Sequence, residues 1–510
     1  MRSLLNATLL ATSIATIVPA QGSFELDKVT NGEVGQSLIL GYDQAPVGAS
    51  LLFMFSVGSG PIPLAAIDPA DPRELAVGLE FAGSWQVTNT PTGAGGLALP
   101  IPNAPALAGG LLHLQALTFP GTSLVFGALS NPVTQQLGIV GTPVALPRNL
   151  VQARALTQSF RVGRDVMLAG GGQGSLLGAT GLASTERYDA RAMRVSAGPS
   201  MGTARALAFS AVLQDGRVLL VGGVNGTGAV LSSAEIYNPV TNQFTPAASM
   251  AVARAAFDGA LLNDGRVMVA GGTTTFVDAV SALANAQSSV EIYNPATNTW
   301  SNAAGMADRL IGPDLTTLAD GRVLLSGGFD VDSFLGIPIP IGSIRTCRLY
   351  NPANNSWSNA ASMQSSRGAH GPNTLRLQDG RVLVTGGAQS GPDLSQAASI
   401  AGAEYYNPAT NSWTALAPLP QPTAIHAVSL LADGRVVVTG GAGGTLSTPV
   451  EHTVALVFQP LSNSWASLPN LPTPRAGHVS MSTDDGVVVL FGGQTGGGTT
   501  SLATTVTIRP

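Results

Sequence analysis

Leu213-Gln214-Asp215-Gly216-Arg217-Val218-Leu219-Leu220-Val221-Gly222-Gly223 contains a tight turn, a short apolar run and a glycine pair, in that order. The same order recurs, with pairs at Gly171-Gly172, Gly222-Gly223, Gly271-Gly272, Gly327-Gly328, Gly386-Gly387, Gly440-Gly441 and Gly492-Gly493. An Asp-Gly step precedes six of these seven pairs, as at Asp433-Gly434-Arg435. Asp-Gly supplies the positive backbone angles that a tight hairpin needs. A glycine pair lets an apolar strand finish where a side chain would collide or strain the backbone. After the first six pairs comes an aromatic, followed seven residues later by a bulky side chain: Tyr188/Val195, Tyr237/Phe244, Tyr293/Trp300, Tyr350/Trp357, Tyr406/Trp413 and Phe458/Trp465. A unit of about fifty residues that reads as four short strands is one blade of a propeller.

The spacing is regular. Val195 to Gly222, Phe244 to Gly271, Trp300 to Gly327, Trp413 to Gly440 and Trp465 to Gly492 all span the same interval, and only Trp357 to Gly386 is longer, by two. Each unit therefore runs through strand d at the Trp position, a linker with Met or Leu, strand a, the Asp-Gly hairpin and strand b ending in glycine. A variable loop and a strand c ending in Asn-Pro, as at Tyr237-Asn238-Pro239, complete it; proline ends that strand because it cannot donate to the ladder.

The Asp-Gly-Arg hairpin, the glycine pair and the Tyr seven residues before Trp resemble the kelch-repeat family over residues 138–510. That resemblance implies a ring of antiparallel blades. Tryptophan gives way to Val195 and Phe244 in two repeats, and the last strand c, Thr505–Ile508, lacks its tyrosine. The seventh repeat also ends at Pro510 before a strand d. Counting the same interval back from Gly171 reaches Val144. Thr142–Leu146 is therefore expected to supply that strand beside Thr505–Ile508 and remove the open edges of a linear array. Six blades plus an extra hairpin is the alternative.

Residues 21–137 carry no glycine pair in the repeat frame. Short apolar alternations such as Ser37-Leu38-Ile39-Leu40, separated by Pro/Gly/Asn clusters, predict a small β-sandwich-like domain there. The expected fold is therefore all-β, a seven-bladed kelch-type propeller over 138–510 preceded by that domain. Residues 1–20 read as a secretory signal: Arg2, an apolar run from Leu4 to Val18, and small residues before a cleavage after Ala20. Export to the extracellular medium, the cell surface or the periplasm follows as an expectation, with no membrane span.

A net charge of −5 over 510 residues, with only one lysine (Lys28), offers no basic stripe for nucleic acid. One cysteine, Cys347, excludes an internal disulfide. No phosphate-binding loop, nucleophile elbow or zinc spacing occurs, so no cofactor or metal is expected.

The b–c loops differ most between repeats, at 273–289, 329–346 and 388–401, and variable loops on a rigid scaffold are where binding usually resides. On the same face Arg367, His370, His426, Arg475 and His478 are expected near the mouth of the central channel, where they could grip a hydroxylated or anionic ligand. The competing reading pairs the arginines with Glu186, Glu235, Glu291 and Glu404 of strand c. The expected function is secreted or cell-surface recognition of a protein or glycan.

The alternative is a carbohydrate-active enzyme at that face, either sugar epimerase-like or copper radical oxidase-like. The layout is similar to the galactose/glyoxal oxidase group. That resemblance implies a cross-linked Tyr–Cys pair, a second tyrosine and two histidines. Cys347, three residues before Tyr350 on strand c, falls on the opposite strand face and does not match.

Overall fold

The computed structural model describes residues 23–510 except 31, 65–72, 78–80, 89–92, 120–126, 176–177, 335–336 and 371–373. The expected signal sequence lies outside the described residues. Seven four-stranded antiparallel sheets follow residue 143. In sheets 1 to 6 the strands follow the order a-b-c-d; blade 3, for example, runs Asp258–Leu261, Val267–Ala270, Val290–Asn294 and Thr299–Ala303. Strand b of blades 2 to 7 is buried along its whole length, as in Val218–Val221 and Val436–Thr439, because it lies between two strands and two neighbouring blades. Such strands need continuous Val/Leu runs rather than alternation.

The seventh sheet is assembled from both ends of the chain. Val144 stands opposite Thr507 and Ala145 opposite Val506, while Thr505–Ile508 pairs with Val488–Phe491 on its other side. The position opposite Ile508 thus falls one residue earlier than the count from Gly171 placed it. The reason is in the first blade, where the glycines that turn the chain are Gly170 (φ 64°) and Gly171 (φ 89°), not Gly171-Gly172. Its a–b hairpin, Val162 opposite Asp165, is shorter than the Asp-Gly hairpins.

The pair matters because it touches the next blade. A Cβ on Gly170 would lie 2.4 Å from the Arg205 carbonyl oxygen, and one on Gly440 2.4 Å from that of Arg475. The second glycine donates its N–H to the same carbonyl: Gly171 to Arg205 at 2.8 Å, Gly441 to Arg475 at 2.8 Å, and Gly493 to Arg154 at 2.9 Å across the closure. The outer rim repeats a second device. Trp300, Trp357, Trp413 and Trp465 each donate Nε1–H to a carbonyl of the preceding blade at 2.7–2.8 Å. The asparagine two residues before each Trp, for example Asn298 (φ 53°), accepts an amide of the preceding blade, and in blades 3 to 5 also the strand-c tyrosine hydroxyl. Asparagine tolerates that left-handed conformation better than most residues.

The N-terminal region is built on one folded-over sheet, with a separate two-stranded sheet of Ser59–Pro63 and Glu74–Val77. The strand order of the folded-over sheet is Phe81–Thr88, Ser50–Ser56, Leu111–Phe119, Leu129–Ser130, Ser23–Lys28, Ser37–Asp43, Gly95–Pro100, with Val133–Gln136 also on Leu111–Phe119. Leu26, Leu38, Leu40 and Tyr42 pack with Leu51, Phe53, Leu112 and Leu114 in the larger of the region's two cores, a sandwich-like arrangement, while Met54, Leu64, Leu75, Val77 and Leu117 form the smaller. Polar contacts tie the region to blades 1 and 7. Arg191 bonds Asp27 at 2.6 Å, and Lys28 meets Asp485 at 3.4 Å with both side chains almost wholly buried.

Candidate functional site

The repeat sets the surroundings of most of the fully buried arginines. Arg154, Arg205, Arg254 and Arg367 are buried and bond Glu186, Glu235, Glu291 and Glu404 at 2.8, 3.1, 3.0 and 2.6 Å. Each guanidinium also donates to the carbonyl of the first glycine of its pair, as Arg254 Nη1 does to Gly271 at 2.9 Å. Each glutamate accepts two amides of the d–a linker, as Glu291 does from Ala251 and Val252. The ion pair therefore fastens linker, strand b and strand c of one blade. Burial still pushes the arginines below their ordinary value, despite their acids.

Arg367 belongs to this set and does not face a mouth. The other four residues expected there are buried as well: His370, His426 and Arg475 are at most 1% exposed and His478 is 5% exposed. Arg475 meets no carboxylate, because blade 7 has Val506 in the glutamate position; Thr504 Oγ1, just before strand c, accepts at 2.8 Å and Gly492 O at 2.9 Å. Burial alone takes its guanidinium down to about 10. The three imidazoles wedge between blades. His426 Nε2 lies 2.8 Å from Thr385 Oγ1 and His478 Nε2 2.9 Å from Thr439 Oγ1, in each case a residue of the blade before. His370 sits more loosely, 3.4 Å from Ser326 Oγ. Burial lowers His370 and His426 to about 3 and His478 well below its usual value, so all three are neutral at ordinary pH.

The long loops explain why nothing reaches these groups. Those of blades 3, 4 and 5 contribute Phe276, Ala282, Leu283, Phe329, Val331, Ala388 and Ala397 to one buried apolar cluster, joined by Val224 and Ala424. Leu207, Ala256, Ala369 and Ile425 pack beneath it, and each has positive φ at the start of its strand a. The loop side of the channel is thus roofed by hydrophobic side chains. A one-turn helix, Ala279–Ala284 with Asp278 as N-cap, and the hairpin Phe329–Phe334/Ile337–Ser343 stand on that roof and touch each other.

Open space is found elsewhere. A cavity of about 590 Å³ is lined by Phe209, Gln214, Asp258, Asn263, Asp314, Thr316, Thr317, Thr374 and Arg376. These belong to the strands a, and their hairpin ends, of blades 2 to 5, so the cavity is the axial channel, with the exposed turn residues Gln214 and Asn263 at the Asp-Gly side. Two carboxylates share it. Asp258 Oδ2 accepts the Leu315 amide across the seam between blades 3 and 4 at 2.8 Å, and Asp314, 3% exposed, accepts from Thr316 Oγ1 at 2.9 Å. The sequence reading missed this pair. Its only signal was an aspartate at the same offset before Gly271 and before Gly327, in two successive repeats.

Comparison with known proteins agrees with the ring. The kelch motif model matches residues 205–251 and 259–307, which carry the second and third blades. The chain carries kelch repeats. It is 32% identical to mouse Kelch-like protein 36 over 193 residues, 38% of this chain and 29% of the mouse protein. It is 33% identical to Beta-scruin of Limulus polyphemus over 157 residues, 30% of this chain and 16% of scruin. The chain thus matches less than a third of the length of either relative. A fungal alcohol oxidase of the AA5 family, solved in complex with copper, superposes with a TM-score of 0.54 at 14% identity, covering 72% of this chain and 76% of the oxidase. At that identity the likeness is one of fold.

Cys347 is fully buried in the cluster between blades 4 and 5 with Leu349, Met363 and Trp413, and burial raises its thiol to about 12. Among the described residues no group of three or more His, Cys, Asp or Glu could hold a metal ion, and no helix is long and apolar enough to cross a membrane.

Proposed function

We propose that this kelch propeller is exported and serves as a binding module, recognising a protein partner on the platform that its long loops build. The observation that carries this reading is the apolar surface left on that platform. Val277 and Val280, beside and on the helix of the blade 3 loop, are 74% and 76% exposed, and Ile339 and Ile341 on the outer strand of the blade 4 hairpin are 43% and 45% exposed. Apolar side chains gathered on a raised, ordered surface mark interaction sites. Pro338 and Pro340 remove two donors from the same outer strand, which discourages sheet extension and leaves recognition to side chains.

Two measurements test the proposal. The exported protein is expected to begin at Gln21 on N-terminal sequencing. In cross-linking at the surface of the producing cell, Val280→Asp with Ile339→Asp is expected to abolish the adduct without shifting thermal unfolding. Retention of the adduct would move recognition away from this platform.

A glycan is the second reading, and its support is the axial cavity. Hydroxyls of Thr316, Thr317 and Thr374, the amides of Gln214 and Asn263, Arg376 and the Phe209 ring are the groups that hydroxylated rings use. A glycan array separates the readings, because Thr374→Val would weaken a cavity-bound sugar and leave platform binding intact.

A further inference from the structure

Asp258 and Asp314 occupy the same place in successive repeats. Each stands opposite the residue before the pair glycine, Ala270 and Ser326 respectively. Blades 2, 6 and 7 put Phe209, Ala427 and Val479 there. The two carboxylates thus project from neighbouring innermost strands into the axial channel, Asp314 buried and Asp258 half-buried. None of the described arginines, nor Lys28, forms an ion pair with either.

The groups around them supply no countercharge. Strand a of blade 2, Phe209–Val212, and both adjoining strands b, Val267–Ala270 and Val323–Ser326, carry no titratable residue. From blade 5, Arg376 is turned to the Thr317 carbonyl at 3.1 Å. His370, neutral, approaches Ser326, the cross-strand partner of Asp314.

We infer that Asp258 and Asp314 hold a single proton between them at neutral pH and form a pH-responsive latch across the seam of blades 3 and 4. Asp258 reaches the amide next to Asp314 in the chain, and two carboxylates so placed with no cation beside them cannot both ionise cheaply. The proton resides on Asp314. Asp258 has the Leu315 amide to stabilise its charge, whereas Asp314 has only hydroxyl partners. Burial raises Asp258 to about 7 and raises Asp314 well above its ordinary value, with the Asp258 charge adding to the effect on Asp314. The folded-state values lie above the unfolded ones, so the pair favours the folded ring at acidic pH. That contribution declines as pH rises through about 7, when Asp258 gives up its proton, and is lost at higher pH, when the proton of Asp314 leaves and the two charges repel across the seam.

The test is thermal unfolding of the full chain from pH 6 to 9, wild type against Asp258→Asn, Asp314→Asn and the double variant. The wild type is expected to lose stability with pH over this range, and the double variant to lose that dependence and gain melting temperature at pH 9. Infrared spectroscopy adds a readout that does not depend on unfolding. A protonated-carboxyl band is expected at pH 7 in the wild type and absent in the double variant. Superimposable pH profiles, or no such band at pH 7, would overturn the inference.

Discussion

Blades 1, 2, 3 and 5 fasten themselves with a buried arginine–glutamate pair; blades 4, 6 and 7 do without it. In blade 4 the charges are exchanged, with Arg348 on strand c and Asp308 on the linker, 2.7 Å apart and partly exposed. In blade 6 the two positions are Thr423 and Leu456, and in blade 7 Arg475 faces Thr504. All seven nevertheless keep the bond from the second glycine to the linker carbonyl of the next blade. The backbone contact is the constant of the ring, and the ion pair is one of several ways to fill the space behind it. That agrees with the thermodynamics of buried pairs, which cost desolvation and add little net stability, yet are damaging to break.

The largest effect should come from breaking a complete seam. Arg254→Met leaves Glu291 buried beside two amides and is expected to cost about 3–5 kcal/mol in urea unfolding. Arg475→Met strands no acid and should cost less than half as much. Equal losses would mean that the two kinds of seam are energetically alike.

Next comes the backbone constant itself. Gly170→Ala meets both a positive φ and the Arg205 carbonyl, and should cost about 2–3 kcal/mol. Gly172→Ala, crowded only by Ala179 and Ala206 methyl groups, should cost about 1 kcal/mol. The reverse order would restore Gly171-Gly172 as the working pair.

The histidine wedges distinguish blades 5 to 7 by pH. Their folded-state values lie below the unfolded one, so the stability they contribute is full above about 6.5 and is lost as pH falls from there towards about 3. Each should remove roughly 1.4 kcal/mol per pH unit in that window, or about 2 kcal/mol by pH 5. His426→Gln is expected to flatten the acid limb by about a third. This acid limb opposes the Asp258–Asp314 latch, so stability should peak near neutrality.

The smallest effect belongs to the hairpin face. Asp215→Asn removes an exposed ion pair with Arg217 and should change stability by about 0.5 kcal/mol or less.

The blades, their order and the arginine–glutamate pairs were legible in the sequence because a repeat reports its own register: turn, strand, glycine and aromatic recur at fixed offsets. The same regularity misled by one position at Gly170, where the shorter hairpin hid behind three successive glycines. The asparagine before each Trp was visible but had no assigned role until the ring set each blade's rim against its neighbour.

Tertiary structure alone decided which surfaces are open and which are sealed. His370, His426 and His478 were placed on the correct face, but only the folded loops show that Phe276, Leu283, Phe329 and Ala397 seal it. Those loops follow no period, so the repeat says nothing of where they pack. Asp258 and Asp314 lie a full repeat apart in sequence and meet only because ring closure sets successive strands a side by side around one axis. Local periodicity determined the elements; burial and electrostatic environment depend on neighbours that only closure supplies.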